Sequence, residues 1–320
     1  MKTQWPWRRP RSLAGVAAVA ERVDPVGMLV SLLRPATVGA KVISGSGEWA
    51  VRVPRYADPA FCVMLEGSCV LRLDDHDQIE LCRGDFLFVA DMPGFVMESG
   101  HDGVVPALTV EPASQPVRHG SPDGPETMRM LGGYFRFDAT NAALLTPMLP
   151  RVLVVHQDEQ AAVRLHRIVE LIADETASAA PSELILDRLV EVLLIEAMRL
   201  RVTTGGAQRG LIAGLSDSVL APALRQLHAD VARGWTVAQL AREASVSRTV
   251  FAERFSRTTG MSPMQYLLQL RMALAQEILR TEQPSMAELA RRVGYQSAGA
   301  FTTAFSKLTG RSPSEFRRNS

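Results

Sequence analysis

The hydrophobic pattern of the chain changes period partway along. Between residues 49 and 89, apolar, β-branched and aromatic residues fall in short runs: 49–53, 61–65, 69–73, 79–81 and 86–89. Turn chemistry separates them, namely Glu66-Gly67-Ser68, Asp74-Asp75, Arg83-Gly84-Asp85 and then Met92-Pro93-Gly94. Short strands spaced by roughly ten residues predict a β-sandwich or small barrel. Residues 132–137 read as one more strand, and the proline-rich stretch 110–125 reads as a loop. Near Asp158 the period lengthens to that of a helix. Residues 161–175 place Val163, Ile168, Leu171 and Ile172 on a helical repeat. Residues 182–201 are denser, with Leu184, Leu186, Leu189, Val190, Leu193, Leu194, Ala197 and Met198. A helix apolar around most of its circumference is buried between neighbours or in a dimer seam. The glycine-rich stretch 203–215 predicts an interdomain linker.

The last hundred residues contain one pattern twice. Leu240-Ala241-Arg242, Phe251, Phe255-Ser256, Thr259-Gly260, Ser262-Pro263 and Tyr266 return as Leu289-Ala290-Arg291, Phe301, Phe305-Ser306, Thr309-Gly310, Ser312-Pro313 and Phe316. A repeat at fixed offset is one supersecondary unit used twice. The apolar period predicts helices over 218–233, 236–244, 247–259, 263–280, 285–293, 297–309 and 313–318.

Four capping boxes mark their starts: Thr236/Gln239, Ser262/Gln265, Ser285/Glu288 and Ser312/Glu315. In each, a hydroxyl and a Glu or Gln three residues on satisfy each other's unpaired N–H groups. Pro263 and Pro313 sit at the first helical position, where a missing N–H costs nothing. Gly234, Gly260 and Gly310 stand where helices end. Gly294 falls in the tight turn of the second unit, where positive φ is wanted; Ser245 holds the same place in the first at a modest steric cost. Ala241 and Ala290 are small where two helices cross.

Two short helices joined by about three residues form a helix-turn-helix, a unit that seats its second helix in the DNA major groove. On 247–259 the apolar period turns Val250, Phe251 and Phe255 to the core and Arg248, Thr249, Ala252, Glu253 and Ser256 outward. On 297–309, Phe301 and Phe305 turn inward and Ser297, Ala298, Thr302 and Thr303 outward. Arg257 and Lys307 follow in the later turns. Small polar residues let a helix enter the groove, and the basic ones meet phosphates. Charge supports this. The net charge is +1, but residues 216–320 hold fourteen Lys/Arg against eight Asp/Glu, a balance of +6, and the remainder is −5. A basic C-terminal part on an acidic N-terminal part fits a nucleic-acid module joined to one that does not bind nucleic acid.

The residues of 216–320 resemble the AraC/XylS family of bacterial transcription regulators. The resemblance rests on Thr236-Val-Ala-Gln-Leu-Ala, Phe251, Phe255, Thr259 through Tyr266, Leu270 through Ala275, Ala287 through Tyr295, and Phe301 through Pro313. It implies two helix-turn-helix units on a connecting helix about 27 Å long. Members often carry Arg where this chain has Glu253 and Thr303, so the resemblance leaves the preferred DNA sequence open. Phe61 through Ser68, Arg83-Gly-Asp-Phe86, Met92-Pro-Gly94 and Gly133 through Phe137 resemble a cupin-type sensor domain.

The expected fold is therefore α+β in two domains. A poorly ordered N-terminus (1–23) precedes a cupin-like β-barrel (24–151), a helical dimerisation or packing segment (152–202), a linker (203–215) and an all-α domain with two helix-turn-helix units (216–320).

The expected function is sequence-specific transcription regulation in response to a small-molecule effector. Partners would be promoter DNA, RNA polymerase if the output is activation, and a second copy of the chain. Activation is the family's usual output. A cupin enzyme or a protein-interaction protein with an attached helical module are the alternatives. Trp49, Phe61, Met64, Phe86 and Phe88 are the candidate effector pocket, or else simply fill the barrel.

No metal or cofactor is expected. Where metal-binding cupins need histidines, this chain has Cys62, Met64 and Phe95, with His76 and His101 in turns. Three cysteines (Cys62, Cys69 and Cys82) form no CxxC pair and suit a reducing cytoplasm. Cys62 and Cys82, on apolar strands, read as inert buried thiols rather than redox sensors. No apolar run reaches the roughly 18 residues that span a bilayer. Leu13 to Ala20 mimics a short secretory signal, but it is Ala- and Gly-rich and Glu21-Arg22 follows at once.

Overall fold

A computed structural model describes residues 24–56, 58–100, 106–110, 116–159, 162–204 and 209–318. The N-terminal stretch 1–23, with its signal-like segment, and His101 lie outside the described residues.

In chain order the N-terminal part consists of α1 (Pro25–Leu33), β1 (Ala36–Ser46), β2 (Ala50–Val53), β3 (Ala60–Glu66), β4 (Ser68–Leu73), β5 (Ile79–Cys82), β6 (Phe86–Val89), β7 (Phe95–Glu98), β8 (Leu108–Thr109), β9 (Val117–Gly120), β10 (Met128–Arg136), α2 (Ala139–Leu145) and β11 (Val152–Val155). Two helices follow, α3 (Val163–Ala177) and α4 (Glu183–Thr204). The C-terminal part is α5 (Leu211–Ser216), α6 (Leu220–Ala229), α7 (Val237–Glu243), α8 (Arg248–Thr259), α9 (Pro263–Thr281), α10 (Met286–Arg292), α11 (Ala298–Thr309) and α12 (Pro313–Arg318). None of the described helices is long and apolar enough to cross a membrane.

Two sheets face each other. One has six strands in the order β11-β6-β3-β10-β1-β9, the other five in the order β5-β4-β7-β2-β8. Pairing is antiparallel except where β1 meets β9 and β2 meets β8. The two-residue strand period divides the six-stranded sheet between two cores. Ala60, Met64, Leu87, Val89, Met128 and Met130 point into the barrel, against Val51, Cys69, Leu71, Leu81 and Met97 of the other sheet. Phe61, Val63, Phe86, Phe88, Leu131 and Phe135 point out onto a helical layer. That outer core runs on through α4 and α5 into the C-terminal helices, so one hydrophobic cluster binds both parts of the chain.

The expected strands and helices are present with boundaries moved by a few residues, and several elements were not foreseen. α1 is apolar all round (Val26, Leu29, Val30, Leu32 and Leu33 are buried), so it shows no amphipathic period. β9 lies within the stretch read as a loop, at the six-stranded sheet's edge. The linker expected at 203–215 is shorter than its glycines suggest, because Leu211 and Ile212 start α5 and are fully buried. The helix read to 233 ends at Ala229; Gly234 follows after a turn and is not in the positive-φ region.

The helical hairpin also differs in facing. α3 buries Leu165, Val169 and Ile172, while Val163 and Leu171 are exposed. α4 buries Leu186, Val190, Leu193, Leu194, Ala197 and Met198, with Leu184, Ile185 and Val192 exposed.

Candidate nucleic-acid interface and effector cavity

The two repeated units are built around matching cores. Leu240 and Ala241 of α7 are buried against Phe251 and Phe255 of α8; Leu289 and Ala290 of α10 are buried against Phe301 and Phe305 of α11. The tight turns match as well. Val246 N donates to Ala241 O at 3.0 Å, and Tyr295 N to Ala290 O at 2.8 Å. Both turns need a left-handed residue, supplied by Ser245 at φ 55° and Gly294 at φ 85°. Gly294 has a second reason to lack a Cβ, since one would stand 2.5 Å from Ala232 O and 2.4 Å from the Arg271 guanidinium. Arg271 of α9 donates to Val231 O at 3.0 Å and Arg233 O at 2.8 Å, which fastens the end of α6 beside that turn.

Helix ends follow the sequence closely. Ser247 and Ser297 cap α8 and α11, accepting from Val250 N at 3.3 Å and Ala300 N at 3.2 Å. Gly260 (φ 84°) and Gly310 (φ 74°) close them. Of the four capping boxes, Thr236/Gln239 and Ser312/Glu315 are complete in both directions. Ser262 and Ser285 show the hydroxyl half, accepting from Gln265 N and Glu288 N. The amide and hydroxyl of Ser312 hold the Glu315 carboxyl below its ordinary range.

The outward faces follow from these cores. If the midpoint of Phe251 and Phe255 points inward, steps of about 100° per residue put Glu253 at the outermost point of α8. Thr249 and Arg257 then lie about 40° to either side, with Val250 about 60° round on the Arg257 side. Arg248, Thr249, Glu253 and Arg257 are exposed, while Ala252 and Ser256 are half-buried flanks. Val250 is 48% exposed, which reverses its assignment to the core: only the two phenylalanines and Thr259 of this helix are buried. On α11 the same construction puts Thr303 outermost, between Gly299 and Lys307. Ser297, Thr303 and Lys307 are exposed; Ala298 and Thr302 are half-buried.

Charge is distributed accordingly. Arg254 turns away from this face and pairs with Asp217 at 2.8 Å. Burial raises Asp217, but this arginine and the amides of Leu220 and Val219 outweigh it and hold the carboxyl below its usual range. Among the described residues, Arg248, Glu253, Arg257 and Lys307 make no ion pair. The same holds for two arginines that sequence reasoning missed, Arg242 and Arg291, both exposed in the last turns of α7 and α10. Their signal was the repeated Leu-Ala-Arg itself.

In the barrel, a cavity of about 450 Å³ lies between the sheets, lined by Leu71, Leu87, Met92, Met97 and Met130 with Tyr56, Cys62, His119, Tyr134 and Lys41 among the polar groups. It exists because one inward row across the sheet, Lys41–Gly132–Cys62–Leu87, has glycine in the middle. Of the expected pocket residues, Phe61 touches this cavity. Trp49 and Met64 belong to the barrel core; Trp49 stacks on His119 at 5.4 Å. Phe86 and Phe88 face the other way, into the helical layer, because strand alternation gives the barrel to Leu87 and Val89.

Burial lowers His119, with Lys41 adding to it, and also lowers Lys41. Burial pushes Tyr56 up, and pushes the thiol of Cys62 up as well. Cys69 is raised by burial to about 12. Cys82 is exposed, contrary to expectation, and its thiol is also raised, by desolvation and then by Asp85 and Glu80. Protonated thiols, thioethers and a phenyl ring do not fit the metal that many cupins hold. Among the described residues no three His, Cys, Asp or Glu side chains converge. A second cleft, about 660 Å³, opens where Phe135, Phe137 and Leu149 face Arg209, Thr259 and Gly260.

Comparison with known proteins agrees with this architecture. A family described as cupin matches residues 24–203, and one described as a helix-turn-helix domain matches residues 240–319. A putative AraC-like transcription regulator of Streptomyces lividans is 33% identical over 307 residues, covering 93% of this chain and 99% of the relative. Another, from Streptomyces antibioticus, is 32% identical over 304 residues with the same coverage. The DNA-binding domain of AdpA, solved with a target DNA, is similar at 32% identity and a TM-score of 0.31 over 32% of this chain and 93% of that one. The doubled helix-turn-helix and the cupin barrel are thus the two halves of a DNA-binding transcription regulator, and the chain belongs to the AraC-like family.

Proposed function

We propose that α8 and α11 are the two base-reading helices and that the chain activates transcription from promoter DNA in the cytoplasm, through contact with RNA polymerase. Thr249 and Glu253 on the first unit, and Ser297, Thr302 and Thr303 on the second, face the bases. Arg248, Arg257 and Lys307, with Arg242 and Arg291, neutralise phosphates. Ala252, Ser256 and Ala298 are the small flanks that let the helices sink. The observation that carries this reading is the pairing of two capped helices of one design, each with an outward face whose basic residues have no acidic partner within the described residues. α9, about 28 Å long at 1.5 Å per residue, sets their separation near one turn of DNA.

The barrel binds a small effector rather than transforming a substrate. Its lining is mostly apolar and its buried thiol is held protonated, which supports binding over catalysis. Effector occupancy shifts the population of a DNA-competent arrangement through the shared core of α4, α5 and α8. Pairing of two chains uses the exposed apolar residues of the hairpin: Val163 and Leu171 on α3, Leu184, Ile185 and Val192 on α4.

Titration of the full-length protein with a random duplex pool at several salt concentrations tests the DNA reading. Steeply salt-dependent binding is expected, each neutralised phosphate contributing about 0.9 to the slope of log affinity against log salt. Arg257→Ala and Lys307→Ala should each lower that slope by about this amount at all sites, whereas Glu253→Ala should change which sites are selected. Binding that ignores salt sinks the reading.

A further inference from the structure

We propose that Val250 reads the 5-methyl group of a thymine in the half-site under the first unit. The proposal rests on the DNA-binding reading above and goes beyond it by naming a base and an atom.

Val250 is the third residue of α8, within the N-terminal turn that meets base edges when such a helix enters the major groove. It is 48% exposed although Phe251 beside it is fully buried, and it stands on the outward face close to Arg257. Its neighbours on that face are polar or charged: Thr249, Glu253 and Arg257. A large apolar side chain left in water within such a surface gains only by meeting another apolar group. In the major groove the base pairs offer one methyl group, that of thymine. The position is also rigid. Val250 N donates to the capping Ser247 Oγ at 3.3 Å, which fixes the first turn. A β-branched side chain on a helix is held in essentially one χ1 rotamer. The two methyls are therefore presented without side-chain entropy to lose on contact.

The repeat supplies its own control. The position fifty residues on is Ala300, also third in its helix and exposed, with Gly299 before it. The second unit has the same scaffold with a smaller apolar contact, so methyl reading should be stronger under α8 than under α11.

The experiment uses the full chain and a duplex obtained by selection from random DNA. Each thymine is replaced in turn by deoxyuridine, which removes one methyl and leaves hydrogen bonding intact. The wild type should lose about fourfold in affinity at one thymine of the first half-site, the worth of one buried methyl group. Val250→Ala should bind the thymine duplex more weakly by a similar factor and no longer distinguish thymine from deoxyuridine there. Ala300→Val should acquire sensitivity to the methyl in the second half-site. The exposed position makes both variants fold as the wild type does, which a thermal melt verifies.

The proposal is overturned if no thymine shows the loss, or if Val250→Ala keeps the full deoxyuridine penalty. It is equally overturned if Val250→Ala lowers transcription while leaving DNA affinity and methyl sensitivity unchanged, because the side chain then serves a protein partner. Failure of the wild type to bind any duplex in a salt-dependent way removes the DNA-binding reading itself and is told apart by occurring before any base is altered.

Discussion

The two helix-turn-helix units share a scaffold but not a setting. The first is built into the rest of the molecule. α5 packs on α4 and α8, Gly210 N donates to Thr258 O at 3.1 Å, and α9 lies on α1 and α2 with Arg34 paired to Glu277 at 2.6 Å. In the second unit α10 packs on α11, α11 on α12, and α12 on α9. The cores differ at one matched place. In the first unit the buried His228 Nε2 and Tyr266 hydroxyl are 2.6 Å apart, and Tyr266 meets Phe255 edge-on at 5.6 Å. At the position matched to Tyr266 the second unit has the buried Phe316, which meets Phe305 edge-on at 5.8 Å. The fold therefore takes a tyrosine or a phenylalanine at this position. The polar pair brings a titratable group into the unit docked on the cupin domain.

Four sets of substitutions or conditions probe how far the likeness extends. The largest effect belongs to the shared phenylalanines. Phe251→Ala and Phe301→Ala should each cost about 3–5 kcal/mol in denaturant unfolding, as large-to-small changes in a packed core do. A much smaller cost in one unit would show that its core is not packed like the other's.

Next comes pH. Burial pushes His228 down to about 3 from its ordinary value of 6.5. The unfolded chain takes up a proton below about 6.5 and the native unit does not. Stability should therefore be full above that pH and fall as pH drops toward 3, by at most about 1.4 kcal/mol per pH unit for one proton. The double variant His228→Ile with Tyr266→Phe replaces the polar pair with apolar side chains, the phenylalanine being the one the second unit carries. It should flatten this part of the curve, and an unchanged acid limb would assign the effect elsewhere.

The turns come third. Gly294→Ala meets both a positive φ and the Ala232 carbonyl, and should cost about 1–3 kcal/mol. Ser245→Gly relieves the matching strain and should raise stability slightly, by about 1 kcal/mol at most, seen as a higher melting temperature. The smallest effect is at the domain contact. Glu277→Gln removes its ion pairs with Arg34, which is 43% exposed, and with Arg280 of the same helix, and should change stability by about 1 kcal/mol or less.

The legible and illegible parts of the sequence divide along physical lines. Helix caps, turn residues and the phenylalanines of the repeat were readable because each acts within a few residues of itself. The facing of Val250 was not. An apolar residue adjacent to a buried phenylalanine looks like core until the direction of the core is known, and that direction is set by α6, α7 and α9. The same holds in the barrel. Phe86 and Phe88 are apolar on a strand flanked on both sides, and no local signal says which side holds the cavity. Gly132 was unremarked because its contribution is an absence of side chain opposite Lys41 and Cys62, visible only once β1, β10 and β3 are in register. α1 and α5 escaped because short, mostly buried helices have almost no polar face to give them a period.

What the sequence determined by itself was the doubled unit, its capped ends and the change from strand to helix, since propensity, capping and period are properties of neighbouring residues. The tertiary structure alone decided which residues of those helices face outward, which strand face holds the cavity, and that the first unit shares a core with the cupin domain. Each of these depends on what an element packs against, and packing partners are brought together by the fold from positions far apart in the chain.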